Sequence, residues 1–206
     1  GSREIREAAA WGLGEAGFVR AIEPVSALLR SDKDAAVRRT AARSLGKLGA
    51  AGAKVTHKEL CEFLGEKDDE CRLAIVEAMA MLPGKANRAT VNRVWDLYSS
   101  DHSAAVRRES ARALKAWDVE GIGGELGEHL EQLNAPSEKA RRNAAKKLAA
   151  FVDQTKVIKA LQNRFKLEED EWARFRIILS LANITNAEKP VYLDKIARFT
   201  LSLIHI

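Results

Sequence analysis

The chain has 206 residues, a formal net charge of +5, 46% hydrophobic and 31% charged residues, four prolines and two cysteines. No apolar run reaches the ~20 residues of a membrane-spanning helix, and two cysteines at apolar positions do not make a disulfide framework. The modest positive charge permits a polyanionic partner without demanding one, so the first expectation is an all-α, cytoplasmic protein with no membrane segment.

Gly1-Ser2 resembles a cloning scar and is set aside. The first predicted helix follows, with apolar Ile5 just before Arg6 and apolar Leu13 seven residues after it. Its end, Gly12-Leu13-Gly14-Glu15-Ala16-Gly17, matches the dinucleotide fingerprint G-x-G-x-x-G. A phosphate cradle needs a strand before those glycines, whereas Arg6–Trp11 reads as helix. Packing and capping are the better use of them. A second helix is predicted over Ala21–Leu29, with Pro24 in its first turn, where a missing amide costs little.

Asp34–Gly49, DAAVRRTAARSLGKLG, is the clearest element. Asp34 is a good N-cap, and Val37, Ala41, Leu45 and Leu48 form one apolar stripe. Arg39, Arg43 and Lys47 lie opposite. Ala42 and Gly46 allow another helix to come close, and Gly49 is expected to end the helix in the left-handed conformation. Copies of this stretch recur. Their anchor arginines are Arg6, Arg38, Arg72, Arg107, Arg141 and Arg174, spaced by 32, 34, 35, 34 and 33 residues. Capping residues stand four before the anchors at Asp34, Asp68, Ser103, Ser137 and Asp170, with Ser2 in the first slot. Long apolar residues stand seven after, at Leu13, Leu45, Met79, Leu114, Leu148 and Leu181. A fixed period in the thirties is the signature of a repeat array.

Between these A helices lies a less regular B set. After Ala21–Leu29 come His57–Leu64, Val91–Tyr98, Leu126–Leu133, Val157–Phe165 and Val191–Phe199. Neither helix of a hairpin buries its stripe alone, so neighbouring units must stack on a shared core. Gly121, Gly123, Gly124 and Gly127, among several acidic residues, predict a ragged start to the fourth B helix. The chain ends on apolar residues, where a terminal repeat should be polar outward. Either more solenoid follows in the parent protein, or positions 201–206, LSLIHI, which resemble translated sequencing-adapter read-through, are a non-native tail. The expected organisation is one elongated domain over 1–206.

The pattern D-x-x-V-R-x-x-A-A-x-x-L-G-x-L-G in 34–49, with weaker copies across residues 3–200, resembles the HEAT repeat. The likeness is specifically to the short bacterial type also found in phycobilin lyases. The resemblance implies a right-handed α-solenoid of about six two-helix repeats, with helix A convex and helix B lining the concave side. It also implies a scaffold that binds proteins, with some relatives enzymes or nucleic-acid binders. The motif specifies architecture and is nearly silent about activity.

The anchor arginines read as an inter-repeat ladder with capping carboxylates ahead of an anion site. What differs between copies is more informative. Basic rows stand on the exposed face of the second copy (Arg39, Arg43, Lys47), the fourth (Arg108, Arg112, Lys115) and the fifth (Arg142, Lys146, Lys147). They read either as a solvated face or as a polyanion surface. Trp11 and Trp172 fall where they could be accessible, Trp117 falls in the core, and Trp95 is open to either reading. Leu73, Met81, Phe175 and Leu179 occupy nominally exposed slots. His57, His102, His129 and His205 are scattered and make no metal motif, and Cys61 and Cys71 read as core residues. No cofactor is expected.

The leading functional expectation is a non-catalytic module presenting Lys58, Glu62, Arg93, Asp96, Lys159 and Asn163 on its helix-B face to a protein partner. Nucleic-acid binding through the basic rows is the first alternative, and a phycobilin lyase-like or DNA glycosylase-like enzyme component is the second. End-to-end association through the apolar terminal units stays open beside these.

Overall fold

The computed structural model describes residues 1–119, 122, 124–151, 155–185 and 191–197. Every regular element among them is helical. The chain divides into two compact units, Gly1–Glu120 and Gly121–Ile206.

In the first unit the elements are α1 (Arg3–Ala16), a 3-10 turn (Val19–Ala21), α2 (Ile22–Ser31), α3 (Ala35–Ala50), α4 (His57–Cys61), α5 (Asp69–Met81), α6 (Arg88–Ser100) and α7 (Ala104–Ala116). The A helices pack in file, α1 on α3, α3 on α5 and α5 on α7, while α2 and α6 lie chiefly against the A helix that follows each. The apolar stripe is why. Val37, Ala41, Leu45 and Leu48 of α3 are buried, as are Cys71, Ile75 and Met79 of α5 and Val106 and Leu114 of α7. Each buried large aliphatic side chain contributes about 2 kcal/mol from apolar area removed from water.

The second unit contains α8 (Gly124–Gln132), α9 (Glu138–Leu148), α10 (Thr155–Leu167) and α11 (Glu171–Ile184), followed by helical residues 191–197. There α8 packs on α9, α9 on α11 and α10 on α11, around Leu130, Leu133, Leu148, Leu161, Ile177 and Leu181. The ragged segment expected before the fourth B helix falls mostly on positions outside the described residues, as does the 201–206 tail.

The caps follow the sequence with one exception. Asp34, Asp68, Ser137 and Asp170 accept backbone N–H groups of the first turn. Ser103 takes the cap conformation without a side-chain hydrogen bond. Two expectations need correction. Gly49 does not end its helix. The helix runs on to Ala50, Gly52 takes the left-handed conformation with φ 94°, and Gly49 is instead a packing position, because a Cβ there would run into the Leu82 side chain. The second B helix is also shorter than His57–Leu64. Thr56 and Glu59 form a reciprocal capping box that starts it, but after Cys61 the backbone bonds become i to i−3 (Phe63 to Leu60, Leu64 to Cys61). The segment closes as tight turns before Gly65.

Candidate interaction surfaces

The A helices touch through small residues. A Cβ on Gly14 would stand 2.8 Å from Ser44 Cα, and one on Gly46 would stand 2.7 Å from Ala78 Cα. The freed space lets the Ser44 hydroxyl donate to the Ala10 carbonyl at 2.8 Å. In the second unit Ser180 donates to the Ala145 carbonyl at 2.7 Å. Serine and acceptor occupy the same repeat positions in both cases, six and four residues after their anchors, so the α1–α3 and α9–α11 pairs share one register. Gly14 and Gly17 serve packing and capping, as expected, whereas Gly12 faces open space, with nothing within 4 Å of an added Cβ. Gly12 and Gly14 lie inside α1, and Gly17 is its left-handed C-cap with φ 66°. No strand precedes them, and a phosphate cradle of the dinucleotide type has no place there.

The anchor arginines build a ladder whose rungs are bidentate. Arg6 donates to Asp32 at 2.6 and 2.9 Å, Arg38 to Glu66 at 2.7 and 3.1 Å, Arg72 to Asp101 at 2.8 and 2.9 Å, and Arg141 to Glu168 at 2.7 and 2.8 Å. The acceptors are not the capping residues. Each stands two positions before a cap, and its carboxylate also accepts the backbone N–H of that cap residue, at Asp34, Asp68, Ser103 and Asp170. The next anchor then donates to the backbone carbonyl of the same acid, as Arg38 does to Asp32, Arg72 to Glu66 and Arg107 to Asp101. One acid thus ties a helix A, the following turn and the next helix A. The hydrogen bond from Arg6 holds Asp32 down at about 2. Burial pushes Glu168 up, but the bonds from Arg141, the Asp170 N–H and Arg164 together outweigh it and hold it at about 2. Before Ser137 the equivalent position is Ala135, which carries no carboxylate. Arg174 lies 4.9 Å from the centre of the Phe165 ring.

Residues 1–80 match the family model for HEAT repeats. That first stretch of the chain is built of HEAT repeats. No curated protein matches it significantly. The ladder is a structural use of Arg6, Arg38, Arg72 and Arg141, whose guanidinium groups are taken up by carboxylates of the fold.

The basic rows fare differently in the two units. On α3, Arg43 pairs with Glu77 of α5 at 3.1 Å, Arg39 approaches Glu70 of α5 at 4.0 Å, and Lys47 pairs with Glu15 of α1. That HEAT helix therefore has its row neutralised by both neighbours. On α7, Arg112 pairs with Glu109 of its own helix at 2.9 Å, while Arg108 and Lys115 are exposed without an ion pair among the described residues. On α9, none of Arg142, Lys146 and Lys147 pairs with a carboxylate among the described residues. Lys146 and Lys147 border a cleft with Glu128, His129, Gln132 and Asn143.

Of the helix-B residues, Lys58, Glu62 and Arg93 are exposed in the first unit. Asp96 is half-buried and lines a cleft with Asp68, Asp69, Arg72 and Asp101. In the second unit Lys159 is exposed and Asn163 half-buried on α10. Trp11 and Trp172 are 58% and 55% exposed, and Trp95 and Trp117 are buried. Trp117 meets His57 edge-on at 5.2 Å. Burial lowers the His57 pKa and raises both thiols, Cys71 to about 11. A thiol held in that state is a poor nucleophile at neutral pH. Among the described residues no three His, Cys, Asp or Glu side chains converge as metal ligands, and no helix is long and apolar enough to cross a membrane.

Proposed function

We propose that the chain is a non-catalytic HEAT scaffold that binds a protein partner through its helix-B face. The observation that carries this reading is a division of labour among charged residues. Arg6, Arg38, Arg72, Arg141 and the α3 row are consumed in contacts between repeats, whereas Lys58, Glu62 and Arg93 of the first unit are exposed and take part in no ion pair among the described residues. Lys159 offers an equivalent exposed charge on α10. Charges that the fold does not use remain available to set register and partner choice. Recovery of partners on immobilised protein should fall when Arg93→Glu and Lys159→Glu are combined. Unchanged recovery would remove this surface from consideration.

A second reading rests on Arg108, Lys115, Arg142, Lys146 and Lys147, which lack carboxylate partners among the described residues. Such groups could neutralise phosphates, with affinity falling steeply as salt rises. Gel-shift titration at two salt concentrations tests it, and no shift at the lower salt would remove it.

A further inference from the structure

We infer that the outer face of α9 and α11 docks an acidic peptide segment carrying an apolar residue. This deepens the protein-binding reading and rests on it, but names a different surface and the chemistry of the partner.

The HEAT register supplies the argument. The Ser180–Ala145 bond repeats the Ser44–Ala10 bond, so positions on α9 and α11 can be matched to those on the A helices of the first unit. There the outer slots hold carboxylates. Glu70, two before its anchor, meets Arg39, one after its own. Glu77 meets Arg43, both five after their anchors. Glu7 accepts from Thr40, and Glu15 pairs with Lys47. In the second unit the basic members persist as Arg142 and Lys146, but the slots of Glu70 and Glu77 hold Trp172 and Leu179. The slot of Glu7 holds Arg142 itself, and that of Thr40 holds Arg176. The first unit therefore shows what these cations receive, and the second unit omits it.

By that register Arg142, Lys146 and Arg176 share one face, with no carboxylate partner among the described residues. Trp172 is 55% exposed beside them, with Phe175 edge-on at 6.3 Å. Unneutralised like charges around an exposed tryptophan favour an incoming anion with an apolar anchor. The carboxylate is the favoured anion, because carboxylates fill these slots elsewhere in the same molecule. Glu171 adjoins Trp172 in sequence, which requires the acidic groups of the peptide to lie toward Arg142, Lys146 and Arg176.

The test is fluorescence anisotropy on the full chain with a labelled peptide in which glutamates flank one phenylalanine. Parallel titrations use its Gln-for-Glu analogue, a polyglutamate of equal length and a single-stranded oligonucleotide. The expected result is salt-sensitive binding of the acidic peptide, weakened at least tenfold in the glutamine analogue and severalfold in polyglutamate. Arg142→Ala with Lys146→Ala should lower affinity about tenfold. Leu179→Glu restores the slot of Glu77 and should abolish binding while helicity and thermal midpoint hold or rise. Arg93→Glu with Lys159→Glu should leave this binding intact, so failure of the helix-B surface and failure of this one are read separately. Equal binding of both peptides, no binding at low salt, or binding of the oligonucleotide alone would overturn the proposal.

Discussion

Adding one methyl group at position 46 and one at position 12 should act in opposite directions. Both glycines sit inside A helices, where alanine gains about 0.5–1 kcal/mol of helix propensity. At Gly12 nothing stands within 4 Å of the new Cβ, so Gly12→Ala should stabilise by that amount. At Gly46 the Cβ would lie 2.7 Å from the backbone of Ala78, and separating the two helices costs about 1–3 kcal/mol. Gly46→Ala should therefore destabilise on balance. Urea titrations of the two variants decide it, and shifts of equal sign would contradict the packing account. The close approach at Gly46 was legible in the sequence, but the open surroundings of Gly12 were not, since packing was expected of it too and only the inter-helix register distinguishes the two. His57 adds a prediction at the same scale. Burial depresses its pKa, so the folded state binds the proton less readily than the unfolded chain. Its contribution is complete above about pH 6.5 and should begin to fade as pH drops below that value.

At the scale of the element, the ladder joins helices through a carboxylate that the sequence hides. The anchors were readable because their spacing is nearly constant. Their partners were not, because Asp32, Glu66, Asp101 and Glu168 lie 26, 28, 29 and 27 residues beyond their arginines as the B helices change length. Counted backward from the next cap the offset is always two, a signal present in Asp32-Lys33-Asp34, Glu66-Lys67-Asp68, Asp101-His102-Ser103 and Glu168-Glu169-Asp170. The short α4 was missed for a related reason, since apolar residues continue to Leu64 while the backbone has changed its hydrogen-bonding pattern. Removing one rung strands a largely buried guanidinium and frees a turn amide, so Asp101→Ala should cost about 3 kcal/mol. Equilibrium unfolding of that variant checks the magnitude, and a loss within error of zero would show the rung to be ornamental. The carboxylates also set an acid limit. Asp32 and Glu168 titrate at about 2 when folded, below their usual values near 4. Their stabilisation is complete above about pH 4–5 and is lost as pH falls toward 2. The urea midpoint followed by circular dichroism should decline across that window, and a flat profile from pH 5 to 2.5 would contradict the ladder.

For the whole molecule, the periodic residues were legible and the relations between helices were not. Val37, Leu45, Leu48, Ile75, Met79 and Leu114 are buried where the stripe put them, because apolar spacing at 3.6 residues fixes which side of a helix leaves water. Whether a basic row is free depends on which acidic residue the neighbouring helix places opposite, and a single copy does not contain that information. The row of α3 looked like that of α9 in sequence and differs from it in its ion pairs. The first unit packs its four A helices and three B helices within itself, so residues 1–119 expressed alone should unfold cooperatively, and a non-cooperative urea transition would contradict that independence. The claim that unites these scales is that charges outside the ladder serve a protein partner. A photo-crosslinking amino acid at Arg93 in the full chain, activated in cells of its native host, tests it most directly. The account predicts one discrete adduct that protease destroys and nuclease leaves intact. A nuclease-sensitive adduct, or none at all at position 93, would contradict it.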